Sequence, residues 1–124
     1  MDTNKFYKTG ILTGHGTYRQ CSDLFLFREI DWVRVKGKQR PVAMYELLSD
    51  DRDDSSVIEF AGLYEQGLKA YRSREWRKAG RYFQECLRLS KNDGPSQLFV
   101  ARCRHYEESP PSDHWDGIWQ MGEK

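Results

Sequence analysis

No apolar run in these 124 residues approaches the roughly 20 that a membrane-crossing helix needs. The chain also lacks a basic-then-apolar opening of the signal-peptide kind. Cysteine is scarce. Cys21, Cys86 and Cys103 are odd in number and far apart, which excludes a disulfide framework. With no CxxC pair and no Cys/His cluster at zinc spacing, they do not make a structural metal site either. A reducing, cytoplasmic compartment is the expectation. Net charge is nearly absent: 20 Lys and Arg face 19 Asp and Glu, for a formal +1. A balance that close makes no broad field for nucleic acid or a membrane surface, and neither is expected as a partner. Gly10, Gly14 and Gly16 match neither GxxxxGK[ST] nor GxGxxG, so turn chemistry explains them better than a phosphate loop. His15 sits between two of these glycines without a carboxylate or cysteine spaced to make it a base or a ligand.

What the chain does have is rings. Apolar residues make up only 38%, but four Trp, seven Tyr and six Phe are among them. Each buried ring removes a large apolar area from water, which partly offsets the lean apolar content, so a core is expected, though not a generous one.

Two halves meet near residue 50. In the first, Thr9 to Thr13 (TGILT) reads as a short buried strand and Gly14 to Cys21 as a two-turn helix anchored by Tyr18. Phe25 to Val35 (FLFREIDWVRV) alternates, yet neither face is cleanly polar. That predicts a strand partly covered on both sides or carrying a bulge. Lys36 to Pro41 is a glycine-containing turn, and Val42 to Leu48 (VAMYELL) returns as the second strand of a hairpin. Residues 49–56 (SDDRDDSS) are acidic and free of large apolar side chains, and they mark a linker that supplies Asp54, Ser55 and Ser56 as helix caps.

The second half is helical. Phe60, Leu63, Tyr64, Gly67, Leu68 and Tyr71 recur at spacings of three and four, which predicts a helix over 57–72. A second stripe runs from Trp76 through Ala79, Phe83 and Cys86 to Leu89. Asn92 to Pro95 stops that helix and starts a third, with Leu98, Phe99, Ala101, Arg102, Cys103 and Tyr106 on its face. After Pro110 and Pro111 the tail has no periodicity. Trp115 and Trp119 read there as docking anchors.

Residues 25–48, FLFREIDWVRVKGKQRPVAMYELL, resemble the closing hairpin of class III adenylate and guanylate cyclase catalytic domains. In those domains a strand ending V-K-G-K turns into one reading x-V-x-x-Y-E-L. Upstream, Asn4 to Leu12 is similar to the family's N-K-x-Y-G-T-x-I-L segment, followed by a short helix holding Thr17 and Tyr18. The resemblance covers residues 4–48. It implies that Lys36 reaches the terminal phosphates of a nucleoside triphosphate. A flexible cation beside a glycine turn suits that task. Taken without the resemblance, Lys36-Gly37-Lys38 is a basic, solvated hairpin tip. The family's metal-binding aspartates and its Asn and Arg transition-state groups have no counterpart here, so no catalytic residue is assigned. The chain alone is expected to be inactive and to need no cofactor, whereas a parent enzyme would need Mg or Mn with ATP or GTP. Adenylate cyclase is placed ahead of guanylate cyclase.

The second half resembles a tetratricopeptide hairpin. Gly67, Trp76, Ala79, Phe83, Cys86 and Leu87 match that repeat's small and large positions, and Lys91 departs from its proline. One unit alone makes no solenoid groove. The fold expected is α+β: a partial antiparallel sheet with one short helix, then three helices and an irregular tail. The organisation expected is a cyclase-like fragment at 1–48, a linker at 49–56, a helical segment at 57–108 and a Trp-containing tail at 109–124. The function expected is a C-terminal cyclase fragment in cyclic-nucleotide signalling, partnered by a second copy or by the missing cyclase half. The alternative is a stand-alone interaction module that takes a protein partner through the helical segment.

Overall fold

The computed structural model describes residues 12–34 and 41–119. In chain order these form strand β1 (Leu12–Thr13), helix α1 (His15–Cys21), strands β2 (Leu26–Val33) and β3 (Val42–Ser49), and helices α2 (Ser55–Arg72), α3 (Trp76–Leu89) and α4 (Gly94–Glu108). The three strands make one antiparallel sheet in the order β1-β3-β2. The class is α+β, as the patterning implies. The expected strand residues Thr9 to Ile11, the end of β2 at Val35 and the turn residues Lys36 to Arg40 lie outside the described residues.

The mixed pattern of β2 has a local cause. Glu29 pairs with Tyr45 and Asp31 with Met44, so Ile30 is an extra residue in the strand. A bulge of this kind bends the strand and interrupts the alternation of faces. Ile30 and Asp31 are consecutive, and both are buried. A second register shift lies between Leu26 and Phe27, opposite Ser49 and Leu47. α1 lies against the hairpin through Tyr18, whose ring stacks on Tyr45 at 4.0 Å and meets Phe27 edge-on at 5.5 Å.

Each long helix begins where its sequence provides a cap. Asp54, one of the three candidates, is the cap of α2 and accepts the Val57 backbone N–H. The neighbouring hydroxyl of Ser56 and the Val57 N–H hold the Asp54 carboxyl below its usual range. Asp93 caps α4, accepting from both the backbone N–H and the hydroxyl of Ser96. Between α2 and α3, Arg74 adopts a left-handed backbone with φ of 65°. Its guanidinium donates to the carbonyls of Pro111 and Ser112, at 2.6 and 2.9 Å, and so ties the tail to this turn.

The core sits between the three long helices and is mostly aromatic. Tyr64, Tyr71, Phe83 and Phe99 are fully buried. Phe83 stacks on Phe99 at 4.8 Å, and Tyr71 meets Phe99 edge-on at the same distance. Phe83 fits because Gly67 has no side chain: a Cβ there would lie 2.8 Å from the Phe83 ring. Trp115 and Trp119 pack on this cluster from the tail. Two expectations are corrected. Ala101 is exposed rather than on the packed face of α4. Leu89 is 41% exposed. Ile30, at the bulge, is fully buried.

Candidate functional site

β2 carries three charged residues, Arg28, Glu29 and Asp31, with Arg34 just beyond its end, and each of these residues meets an opposite charge on another segment. Arg28 donates from Nε to its cross-strand partner Glu46 at 2.8 Å. Its two terminal nitrogens take both oxygens of Asp93, at 2.9 and 2.6 Å. The guanidinium also lies 4.5 Å from the Tyr64 ring centre and 4.9 Å from that of Phe60. Burial alone would weaken this cation. The hydrogen bonds to Asp93 and the surrounding negative charge more than offset that, and Arg28 is held more firmly protonated than usual. Asp31 and Arg102 meet at 2.7 Å, with each side chain only 3% exposed. Glu29 pairs with Arg72 at 2.7 Å, and Arg72 also covers the face of Trp32 at 3.8 Å. Arg34 pairs with Asp116 of the tail.

These pairs dock three separate helical features on one strand: the C-terminal end of α2, the cap of α4 and the body of α4. A hydroxyl contact adds to them, since Tyr64 donates to the Ile30 carbonyl at 2.8 Å. That bond satisfies the bulge carbonyl, which no strand among the described residues reaches. Buried ion pairs add little net stability over a well-packed apolar replacement. They are costly to break, because the surviving partner is left charged and dry. Their effect here is to select one orientation of hairpin against helices.

That orientation matters for the hairpin tip. Lys36, the candidate phosphate-contacting residue, lies outside the described residues. The foot of its turn is described. A concavity of about 720 Å³ opens there, lined by Trp32, Val42, Ala43, Tyr45, His15 and Asp116 among others. It is a shallow depression, widely open to solvent. The Tyr45 hydroxyl is 3.3 Å from His15 Nδ1, a partner for His15 that sequence spacing did not reveal. Burial, then the nearby Glu29 carboxylate, pushes the Tyr45 pKa upward. Tyr45 is therefore a neutral hydrogen-bonding group at ordinary pH. Among the described residues no group of three or more His, Cys, Asp or Glu is placed to hold a metal ion. Among them, too, no helix is long and apolar enough to cross a membrane.

Cys86 and Cys103 are core residues, as their helical positions imply, and burial pushes their thiols up to about 11 and about 12. Sequence reasoning missed the Asp93–Arg28 and Asp31–Arg102 contacts. The available signals were an arginine in the apolar stripe of α4 and charges breaking the alternation of β2.

Over 83 residues, 65% of the chain, the sequence is 35% identical to an adenylate cyclase, terminal-differentiation specific, of Dictyostelium discoideum. This chain carries a cyclase-related segment. The match spans only 4% of that much longer protein. It is also longer than residues 1–56, so the cyclase-related segment reaches into the helical half. No protein-family model matches the chain. No solved structure matches it.

Proposed function

We propose that this chain is the C-terminal part of a class III nucleotide cyclase, adenylate ahead of guanylate, acting in cytoplasmic cyclic-nucleotide signalling. In this reading the hairpin carries Lys36 toward the triphosphate, and the helices that follow hold the hairpin in place. The metal ions, Mg or Mn, and the groups that bind them and the purine belong to the rest of the catalytic domain. The chain alone is then inactive, and its natural partner is that missing half or a second copy. The observation that carries the reading is the 35% identity to an adenylate cyclase over a stretch that includes both halves. The ion pairs that fasten β2 to the helices support it, because a phosphate-contacting turn needs a rigid base.

Purified chain incubated with ATP or GTP and manganese is expected to give no cyclic nucleotide. Mixing it with the upstream remainder of an adenylate cyclase catalytic domain should give cyclic AMP, and Lys36→Ala should abolish that product. Cyclic nucleotide from the chain alone, lost on Lys36→Ala, would contradict the proposed division of labour. A second reading, a stand-alone interaction module that takes a protein partner through a tetratricopeptide-like hairpin of α2 and α3, is favoured by the close approach of Phe83 to Gly67 where those helices cross.

A further inference from the structure

Two ion pairs and the Tyr64 hydroxyl grip β2 between Arg28 and Asp31. The chain continues past them through Trp32 and Val33 to Arg34, two residues short of Lys36. This last stretch is met by the tail. Asp116 pairs with Arg34. The next residue, Gly117, is buried with its backbone against the Trp32 ring, where a Cβ would lie 2.7 Å from ring carbon Cε3. Its φ of 92° is a conformation that residues with a Cβ rarely adopt. Arg72 of α2 covers the same ring at 3.8 Å, so Trp32 touches the end of α2 and the tail at once.

The tail is fastened on both sides of that contact. Ahead of it, the Pro111 and Ser112 carbonyls accept from Arg74, and Trp115 sits among Tyr71, Trp76 and Tyr106 at 5.4 to 5.5 Å. Beyond it, Ile118 is buried and Trp119 lies 5.0 Å from Tyr106. Between these anchors the backbone closes into a small loop. The Trp115 indole N–H donates to the Ile118 carbonyl at 2.9 Å, and the Ile118 N–H donates to Asp116 Oδ1 at 3.2 Å. Asp116 therefore shapes the loop with one carboxylate oxygen and meets Arg34 with the other. Cover for the aromatic core requires only Trp115 and Trp119. It requires neither a left-handed glycine against Trp32 nor a carboxylate at Arg34.

We propose that residues 115–119 are a strap that sets the position of the hairpin end leading to Lys36, with Asp116 and Gly117 as its positioning residues. The helical core fixes the two tryptophans. The loop between them presents a backbone to Trp32 and a charge to Arg34, and so holds the end of β2 beyond the reach of the buried ion pairs. The consequence for catalysis rests on the role proposed above for Lys36, whereas the strap itself does not.

The test compares amide hydrogen exchange at the two ends of one hairpin in the full chain. Trp32, Val33, Val42 and Ala43 report on the strapped end, and Phe27, Arg28, Glu46 and Leu47 on the far end. Gly117→Ala places a methyl against the Trp32 ring on a strained backbone. It should speed exchange about tenfold or more at the strapped end and leave the far end unchanged. Asp116→Asn keeps an acceptor for Ile118 and removes only the charge. A half-exposed ion pair contributes little, so about fivefold or less is expected at the same end, and Asp116→Glu should restore the parent rate. Equal speeding at both ends, or no speeding at the strapped end in either variant, would overturn the proposal. With the upstream cyclase half added, cyclic AMP formation should fall in Gly117→Ala and Asp116→Asn and recover in Asp116→Glu. Formation indifferent to all three would overturn the positioning role. Absence of product from the parent mixture would count against the cyclase reading alone, since the exchange rates decide the strap without it.

Discussion

Where α2, α3 and α4 meet, the contacts are ring on ring: Tyr64, Phe83, Phe99 and Tyr71 bury each other at centroid distances of 4.8 to 6.1 Å. Where the sheet meets those same helices, the closest contacts are charge on charge, with Arg28, Asp93, Asp31 and Arg102 nearly excluded from water. The two junctions obey different rules. Ring packing is non-directional and tolerates swaps that conserve volume. Buried ion pairs tolerate almost none, because direction and partner are both required. The helical segment is thus held together generically and attached to the sheet specifically.

The largest effect should come from the charged junction. Arg28→Met leaves Asp93 and Glu46 buried without their cation, and should lower unfolding free energy by about 3–5 kcal/mol in urea titrations. A volume-conserving core swap such as Phe99→Met should cost less, on the order of 1–2 kcal/mol, by the same measurement. If the two variants unfold alike, the contrast between the junctions fails.

Gly67→Ala probes the ring side at its tightest point. The added methyl would lie 2.8 Å from the Phe83 ring. Overpacking of this kind should cost about 1–3 kcal/mol, and thermal unfolding that matches the parent chain would show that the helices are free to adjust.

The Tyr64 hydroxyl tests the polar side at its mildest. Tyr64→Phe keeps the ring and removes the donor to the Ile30 carbonyl, so a loss of about 1 kcal/mol is expected, with faster amide exchange around the bulge.

The smallest effect expected is electrostatic and lies at the solvent. Asp54 is held below its usual range in the folded chain by Ser56 and Val57. The folded value is depressed, so its contribution is present above the ordinary carboxylate pKa and is lost as pH falls through the depressed value. Asp54→Asn should therefore flatten part of the stability decline below about pH 4, as read by circular dichroism.

The same contrast explains what could be read from sequence. The helices announce themselves, since Tyr64, Leu68 and Tyr71 on α2 and Trp76, Ala79, Phe83 and Cys86 on α3 repeat at helical spacing. The hairpin and its bulge were legible too, the bulge through the broken alternation around Ile30. The attachment of one half to the other was not. Arg28 and Asp93 are 65 residues apart, and in a linear sequence each looks like an ordinary solvated charge. Only tertiary pairing turns such residues into interior ones. For the same reason the acidic segment 49–56 marks where the pattern changes without revealing that the elements on either side press together. Of the candidate site, the two strands of the hairpin were legible, while Tyr45 at its foot and its contact with His15 became visible only in the fold.

The buried ion pairs couple sheet and helices into one cooperative unit. Native-state hydrogen exchange in low denaturant measures that coupling directly. In the parent chain, amides of β2 and β3 should open with the same free energy as those of α2 and α3. In Asp93→Ala, which removes both the bidentate partner of Arg28 and the cap of α4, the strand amides should open separately and more readily. Separate opening of the sheet in the parent chain, or undiminished coupling in Asp93→Ala, would contradict the account.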